Sequence, residues 1–364
     1  MFRQGDTKLN RFRIVQKTMN TSLPAYFFAM LTLAGGLLVS CHLYQKPYRI
    51  FDAAFLSESG KILVSDNQET FRLWDIKTLQ IICSHTIQSQ IHKDSKVGIS
   101  TIAVSPDSQI MLLASNNIIR VWDLKKWREV RQLIGHTYGV TDIAVSSDNH
   151  FALSASIDSV RLWNLDNGES LRQFSPNHLI RRLVFSPDGQ TALFASENGR
   201  IYLWDIQEWR LLHWFEGDNE AAQNVAFSDD GELVILSDKD HKVCVWGLKK
   251  RKQIKSLPGH KVMVTSTLLS PDHHYAVSGD LHGKVYLWDL QKNCVVRQFS
   301  TIVTTPDEYT GIQGLSFSPI EHQVLFFDGS GGSCNQDCAD SRLYLWDLET
   351  GKEQSFLLKN IQPE

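Results

Sequence analysis

Short runs of hydrophobic residues, separated by polar turn formers, follow one another along most of the chain. In residues 139–174 four such runs read GVTDIAVS, FALSAS, VRLWNL and SLRQF, and the breaks between them are SSDN, ID and DNG. Runs of this length, rich in Val, Ile, Leu and Phe and bounded by Asn, Asp, Gly and Ser, are typical of β-strands joined by tight turns. The pattern therefore predicts four antiparallel strands in one short stretch of chain.

The same unit recurs at a fixed period, marked by a tryptophan near the end of each third run. These tryptophans are Trp74, Trp122, Trp163, Trp204, Trp246, Trp288 and Trp346. Successive members are 41 or 42 residues apart in four intervals, and 48 and 58 residues apart in the other two. A period of this size is typical of β-sheets repeated around an axis, because one unit is too small to bury a hydrophobic face alone.

The strings around these tryptophans, among them FRLWD, IRVWD and IYLWD, resemble the WD-repeat β-propeller family over roughly residues 48–358. The resemblance implies an all-β fold, a seven-bladed β-propeller of four-stranded antiparallel blades. The first repeat begins with an inner strand, RIFDAAF, and the last has its own outer strand, KEQSFLL. Each blade is therefore predicted to consist of contiguous chain, and ring closure is predicted to depend on side-chain packing between the first and seventh blades.

The resemblance also implies a hydrogen-bonded set inside a blade, built from a His of a Gly-His pair, a Ser or Thr, a turn Asp and the strand Trp. In the third repeat these residues are His136, Ser154 or Ser156, Asp158 and Trp163. The sixth repeat has His260 and Trp288, but it carries His282 where the turn Asp is usual. We interpret all of them as structural, because a buried indole N–H needs an acceptor and a bridging histidine meets that need without catalysis.

The N-terminal segment differs in character from the repeats. Residues 18–45 contain no Asp, Glu, Lys or Arg, and residues 1–17 carry five basic side chains against one acidic side chain. A basic stretch before an apolar core of this length is typical of a secretory signal or a membrane anchor. The core ends in Leu38-Val39-Ser40-Cys41. This string resembles the processing box of bacterial lipoproteins, and it implies lipidation of Cys41 after removal of residues 1–40.

The predicted organisation is a signal peptide or membrane anchor over residues 1–40, a short linker over 41–48 and the propeller over 49–364. The alternative is an uncleaved helix over residues 23–44, which is long enough to span a bilayer. In both cases the basic residues stay in the cytoplasm and the propeller lies outside it. The first interpretation predicts a periplasmic lipoprotein of the bacterial outer membrane, and the second predicts a single-pass anchor in the inner membrane.

Net charge argues against nucleic acid as a partner. Without residues 1–40 the chain has 32 Lys and Arg against 39 Asp and Glu, a formal net charge of −7. A nucleic-acid partner would need a concentrated basic face. The sequence also has no phosphate-binding glycine loop and no helical pair of metal-binding histidines. We therefore expect neither an enzyme nor a bound cofactor.

Two cysteines, Cys334 and Cys338, lie close together in the string DGSGGSCNQDCAD. In an oxidising compartment such a pair predicts a short disulfide. The oxygens of Asp328, Asp337 and Asp340 leave a metal site in this loop as the alternative, although their spacing is not that of a calcium loop. The remaining cysteines of the propeller, which we interpret as small core residues, are Cys83, Cys244 and Cys294.

Three insertions depart from the repeat period: residues 84–98, 300–311 and 328–341. In the propeller family these connections lie on one face of the ring, the top face, and ring closure places them around blades seven, one and two. Long loops on a rigid scaffold are where binding residues concentrate. The candidate partner-binding residues in these loops are Ile91, His92, Asp307, Glu308 and Tyr309.

The sequence thus predicts a membrane-tethered, extracytoplasmic scaffold that binds a protein or peptide partner through this sector. The partner is expected to be membrane-associated, because the linker holds the first blade close to the bilayer. The rival hypothesis is an enzyme or a metal-binding propeller that uses the central channel or the loop of Cys334 and Cys338.

Overall fold

The computed structural model describes residues 50–56, 60–66, 69–78, 80–87, 99–216, 225–238, 240–301, 310–318, 323–330 and 341–356. All of them belong to one compact unit, Pro47–Glu364. These residues form 28 β-strands, which assemble into seven antiparallel sheets of four consecutive strands each. The inner strands contact one another around a ring. The predicted seven-bladed β-propeller with contiguous four-stranded blades is confirmed.

Each blade runs from the inner strand at the central channel to the outer strand at the rim. Blade 1 contains β1 (Ile50–Phe55), β2 (Lys61–Asp66), β3 (Thr70–Asp75) and β4 (Gln80–Thr86). Blade 2 contains β5 (Ile99–Val104), β6 (Ile110–Ser115), β7 (Ile118–Asp123) and β8 (Arg128–Ile134). Blade 3 contains β9 (Val140–Val145), β10 (Phe151–Ser156), β11 (Val160–Asn164) and β12 (Ser170–Phe174).

The remaining four blades repeat this order. Blade 4 contains β13 (Ile180–Phe185), β14 (Thr191–Ser196), β15 (Arg200–Asp205) and β16 (Arg210–Glu216). Blade 5 contains β17 (Val225–Phe227), β18 (Leu233–Ser237), β19 (Val243–Gly247) and β20 (Lys252–Leu257). Blade 6 contains β21 (Val264–Leu269), β22 (Tyr275–Asp280), β23 (Lys284–Asp289) and β24 (Cys294–Ser300). Blade 7 contains β25 (Thr310–Phe317), β26 (Gln323–Ser330), β27 (Leu343–Asp347) and β28 (Glu353–Phe356).

The second strands are buried almost from end to end. β6, β10 and β14 each have five buried residues after a half-buried first one. Neighbouring blades cover both faces of such a strand, so it needs a continuous hydrophobic run instead of an alternating one. An outer strand such as β8 alternates between exposed and less exposed residues. The described hydrophobic core accordingly divides into seven clusters, each shared by two adjacent blades.

The turn between the first and second strands is held by a serine and an aspartate. In blade 4 the hydroxyl of Ser186 donates to Asp188 Oδ1 at 2.5 Å and accepts the backbone N–H of Thr191 at 2.9 Å. Asp188 Oδ1 also accepts the backbone N–H of Gln190 at 3.0 Å. These bonds fix the reversal of the chain within a few residues. The equivalent pairs are Ser105 and Asp107, Ser146 and Asp148, Ser228 and Asp230, and Ser270 and Asp272.

The ring closes by packing between blade 7 and blade 1. Ile50 and Trp74 of blade 1 share one buried cluster with Leu325, Phe327 and Leu343 of blade 7. β1 contacts both β25 and β26, while blade 7 is completed by its own outer strand. Side chains, and not a shared sheet, therefore hold this seam, as the sequence predicts.

Candidate functional site

The antiparallel connectivity defines two faces of the ring. On one of them, the top face, lie the connection from each outer strand to the next inner strand and the connection between the second and third strands. Strand register shows this directly, because Ile50 at the start of β1 pairs with Asp66 at the end of β2. Val140 and Ser156 have the same relationship in blade 3. The other two connections of each blade lie on the opposite face.

The strands of the top face extend further than the sequence suggested. Residues 84–86, expected in the first insertion, belong to β4 and pair with β3. Residues 328–330, expected in the third insertion, belong to β26 and pair with β25. Backbone pairing continues past the hydrophobic pattern in both places, so the insertions are shorter than expected. The sequence-predicted residues that lie outside the described part are Cys41, Ile91, His92, Asp307, Glu308, Tyr309, Cys334 and Cys338.

In blade 3 the predicted polar residues form a continuous chain of hydrogen bonds. Nδ1 of His136 lies 3.0 Å from Asp158 Oδ1, and Nε2 lies 2.7 Å from Ser154 Oγ. The indole N–H of Trp163 donates to the same hydroxyl oxygen at 2.7 Å. Ser154 is thus the hydroxyl of the set, whereas Ser156 donates to a backbone carbonyl of the top face. These hydrogen bonds fasten the connection before β9 onto blade 3.

Protonation follows from the surroundings of these groups. Burial lowers the pKa of His136, although its bond to Asp158 acts in the opposite direction. Burial raises the pKa of Asp158, but hydrogen bonds from His136 and Thr137 outweigh it and bring the pKa to about 2. At neutral pH a neutral imidazole therefore donates from Nδ1 to an ionised carboxylate and accepts from Ser154 at Nε2. This arrangement is a satisfied structural network.

Blade 6 contains the same chain, but its carboxylate comes from another position. Nδ1 of His260 lies 2.9 Å from Asp280 Oδ2, and Nε2 lies 2.7 Å from Ser278 Oγ, which also accepts the indole N–H of Trp288 at 2.7 Å. His282 occupies the turn position, as the sequence shows, but the blade still has a carboxylate for its histidine. Asp280 lies two residues earlier, at the end of β22, and its other oxygen accepts the backbone N–H of His282 at 3.0 Å.

Three more blades have an aspartate at the position of Asp280, and the sequence analysis missed this set. One carboxylate oxygen accepts a backbone N–H from the connection that follows, and the other faces the residue two positions before the strand Trp. The pairs are Asp66 with the Arg72 guanidinium, Asp238 with the Cys244 thiol at 3.4 Å, and Asp328 with the Tyr344 hydroxyl at 2.9 Å. The sequence could have indicated this set, because each of these blades has an Asp near the end of its second strand and a polar residue two positions before the Trp of its third strand.

The cysteines of the described strands have unequal surroundings. Burial, reinforced by the Asp238 carboxylate, raises the pKa of the Cys244 thiol to about 12. Cys244 is buried and Cys83 is half-buried, whereas Cys294 is exposed. The interpretation as a core residue was therefore wrong for Cys294, because it begins the outer strand β24, where side chains face solvent.

Polar side chains converge at the upper end of the central channel, a cavity of about 500 Å³. Asp52 Oδ2 accepts the hydroxyl of Thr101 in the next blade at 3.0 Å. Asp142 Oδ2 accepts the backbone N–H of Leu183 in the next blade at 2.6 Å, and Oδ1 lies 3.7 Å from a guanidinium nitrogen of Arg182. Burial raises the pKa of Asp142 to about 6, although Arg182 opposes the shift. These carboxylates link neighbouring inner strands.

The sequence pattern of the family described as WD domain, G-beta repeat matches residues 82–123, 127–164, 168–205, 209–247 and 251–289, together more than half of the chain. The chain belongs to the WD40-repeat family. A comparison with curated proteins found no match. The WD40 propeller is typical of protein-interaction scaffolds.

The WD40 repeat and the blade are offset by one strand. Each matched repeat begins in or next to the outer strand of one blade and ends at the third strand of the following blade. The connection that carries His136 or His260 therefore lies inside a repeat. Each of these histidines bonds to the serine of its own repeat, which also accepts the indole N–H of that repeat's tryptophan. The offset explains why a Gly-His pair and its Trp form one sequence motif.

Two features of the described residues bear on the hypotheses of a membrane span and of a metal site. Within the described ranges, no helix is long and apolar enough to cross a bilayer. The same residues contain no group of three or more His, Cys, Asp or Glu placed to hold a metal ion. The N-terminal segment and the loop of Cys334 and Cys338 lie outside these ranges.

The top face of this WD40 propeller also presents large apolar side chains. Tyr138 and Ile157 of blade 3 are both more than half exposed, as is Ile134 at the end of β8. Ser156, next to Ile157, donates to the carbonyl of Tyr138 at 3.0 Å, so the two connections lie against each other. Apolar groups held on a rigid surface are suited to contact with another protein.

Proposed function

We propose that the protein is a membrane-tethered, extracytoplasmic WD40 scaffold. It binds a protein or peptide partner, itself membrane-associated, through the top face around blades 7, 1 and 2. Its role is binding and not catalysis. The family supplies the general part of this proposal, because WD40 propellers commonly bind protein partners.

The proposed binding sector rests on one observation, the number of residues that connect the described strand ends. Twelve residues separate β4 from β5, nine separate β24 from β25, and twelve separate β26 from β27. Most other top-face connections have six residues or fewer, and the next longest, between β16 and β17, has eight. The three longest begin and end on the top face of the consecutive blades 6, 7, 1 and 2. Such loops on a rigid ring are suited to recognition.

The packing of the ring supports a single sector. Blades 7 and 1 share a hydrophobic cluster that includes Trp74 and Leu343, and blades 1 and 2 share another that includes Phe71 and Trp122. Blades 6 and 7 share a third cluster, so cores between neighbouring blades hold all the strand ends that carry the three long connections.

The membrane part of the proposal rests on the N-terminal sequence. The basic residues 1–17, the uncharged residues 18–45 and the lipoprotein-like string ending at Cys41 favour export and lipid attachment. Eight residues separate Cys41 from Ile50, and an extended segment of this length spans at most roughly 30 Å. The start of β1 lies on the top face, so the proposed binding sector would remain close to the bilayer.

Site-specific photo-cross-linking in the native host tests this function. Cross-linkers at Ile91 and Tyr309, in two of the long connections, should capture the same partner. A cross-linker at Lys250, in the turn between β19 and β20 on the opposite face, is the matched control and should capture nothing. Capture from Lys250 alone would contradict the proposed binding face.

A further inference from the structure

A groove of about 410 Å³ lies between blade 1 and blade 2. His85 and Ile87, at the end of β4, form one wall, and Arg120, Trp122 and Trp127 of blade 2 form the other. The rings of His85 and Trp122 meet edge to face, with centroids 4.6 Å apart. We call this feature, defined by these five residues, the blade 1–2 groove.

Two buried N–H groups of the groove have no acceptor among the residues that the structure describes. They are Nε1 of Trp122 and Nε of Arg120. Trp122 is only 5% exposed, and both residues line the groove. An unsatisfied buried donor costs about 1–3 kcal/mol, and native proteins leave few of them without a protein, water or ligand partner. An acceptor that reaches these two buried atoms would remove this cost.

Blade 3 shows what blade 2 lacks at the same repeat positions. There Trp163 Nε1 donates to Ser154 Oγ at 2.7 Å, and Arg161 Nε donates to Ser159 Oγ at 3.1 Å. Strand register places hydrocarbon side chains at the two serine positions of blade 2. The residues there are Leu113 and Ile118. The internal acceptors of the repeat are therefore missing in this blade.

The unpartnered donors suit a carboxylate. Arg120 already uses Nη1 to hold Glu129 Oε2 at 2.8 Å, while its Nε has no acceptor. Carboxylates form the strongest hydrogen bonds with guanidinium groups and accept several donors at once. Arg128 also lines the groove, so two arginines there stand against the one carboxylate of Glu129, in a chain whose formal net charge is −3. The attraction for an anion is thus local to this groove.

The rest of the groove is aromatic. His85, Trp122 and Trp127 present ring surface beside the two donors, and Ile87 adds an aliphatic side chain. Aromatic rings of this kind pack well against apolar side chains. A ligand that carries a carboxylate and an apolar group close together would therefore use both parts of the groove.

We propose that the blade 1–2 groove binds the C-terminal residue of a protein partner. Its carboxylate contacts Arg120 and Trp122, and its apolar side chain packs against His85 and Trp127. A C-terminal residue carries both groups on one carbon atom, so both fit within a groove of this size. The inference rests on the proposed function, because the groove lies between two blades of the sector where the partner binds.

Tryptophan-selective ¹⁵N NMR on the full-length protein tests this chemistry. The probe is N-acetyl-phenylalanine, and N-acetyl-phenylalaninamide is its matched neutral control. The carboxylate should bind at least about tenfold more tightly than the amide and shift the indole resonance of Trp122. The resonance of Trp163, whose N–H is already bonded, should stay unchanged. Equal affinities for acid and amide, or binding without a shift at Trp122, overturn the proposal.

A third probe distinguishes the source of the carboxylate. N-acetyl-aspartic acid α-amide has an acidic side chain and no terminal carboxylate, so it should bind more weakly than N-acetyl-phenylalanine. Tighter binding of this aspartate probe overturns the assignment to a C-terminus. These three titrations use the wild-type protein and do not depend on the folding of any variant.

A matched pair of variants tests the role of the arginine. Arg120→Gln should weaken the binding of N-acetyl-phenylalanine by about tenfold or more. Arg161→Gln, at the same repeat position in blade 3, should leave it unchanged. Unaltered affinity in Arg120→Gln, with both variants unfolding at the wild-type temperature, overturns the proposal.

The cross-linking experiment separates this inference from the proposed function. Capture of a partner from Ile91 that persists fully in Arg120→Gln overturns the groove assignment and leaves the proposed function intact. Absence of capture from both Ile91 and Tyr309 contradicts the proposed function, and the titrations then still decide whether the groove binds a carboxylate.

Discussion

Oδ2 of Asp280 lies 2.9 Å from Nδ1 of His260. Asp280 is the last residue of β22, so the strand supplies this carboxylate and the turn that follows does not. The corresponding contact in blade 3 comes from Asp158, which lies two positions further along its repeat. A carboxylate at either place reaches the same nitrogen, since the two distances to Nδ1 are 3.0 Å in blade 3 and 2.9 Å in blade 6. The polar chain of a WD40 blade is therefore defined by the atoms that meet and not by a fixed sequence position.

The first prediction compares two blade tryptophans. Trp163→Phe should lower the free energy of unfolding by roughly 1–3 kcal/mol, because it leaves a polar partner unsatisfied and opens a small void. Trp74→Phe should cost less, since the indole N–H of Trp74 has no acceptor among the described residues. Urea denaturation of both variants measures the difference. Equal losses would show that the hydrogen-bonded chain does not determine the importance of Trp163.

The second prediction concerns the carboxylate of blade 6. Asp280→Ala should lower the free energy of unfolding by roughly 2–4 kcal/mol, because a buried acceptor of side-chain and backbone donors is lost. His282→Ala is the control and should cost less than about 0.5 kcal/mol. A larger effect at His282 than at Asp280 would restore the turn position as the important one.

The third prediction is a pH dependence. The pKa of Asp142 is raised to about 6 by burial, so its contribution to stability is present below its unfolded pKa and is lost as pH rises through about 6. Asp142→Asn cannot titrate. Its free energy of unfolding relative to wild type should therefore improve by about 2 kcal/mol between pH 4 and pH 7. Urea denaturation at both pH values measures this, and a difference independent of pH would contradict it.

The fourth prediction concerns the seam of the ring. Leu345 packs in the cluster between blades 7 and 1, and Leu162 has the same repeat position and burial between blades 3 and 4. Leu345→Ala should increase amide hydrogen exchange mainly in β1, β2, β26 and β27, because no loop joins blade 7 to blade 1, whereas residues 175–179 join blade 3 to blade 4. Leu162→Ala should not increase exchange only in the strands at the interface between blades 3 and 4. Uniform exchange in both variants would argue against a separate opening of the seam.

The fifth prediction tests the proposed lipid attachment. Cys41→Ser should leave an uncut precursor, because the thiol that is lipidated before cleavage is absent. Intact-mass analysis of the wild type should show loss of residues 1–40 and the added mass of acyl chains. An unmodified chain that begins at Met1 in the membrane fraction would instead support the anchor helix.

The architecture was predictable because its signals are local and repeated. Turn residues, hydrophobic runs and a tryptophan every 41 or 42 residues define four strands and their number of copies. Asp280 was missed because the sequence pattern gives the order of residues and not the reach of a side chain. Cys294 was misplaced for a related reason, since an outer strand has only one covered face.

The unpartnered donors of blade 2 illustrate a different limit. Leu113 is an ordinary hydrophobic residue in the sequence, and only strand register shows that it stands where blade 3 has Ser154. The groove itself depends on the distance between two blades, which no local pattern contains. The loop residues Ile91 and Tyr309 lie outside the described part of the chain, so their role stays a prediction.

The offset between repeat and blade has a consequence for how such rings change in evolution. Loss of residues 127–164 would remove the outer strand of one sheet and the first three strands of the next. The strand that follows, β12, would then complete the shortened sheet, and all remaining sheets would still have four strands. Recombination between repeats can thus add or remove a blade without creating an unpaired strand edge, which would invite aggregation.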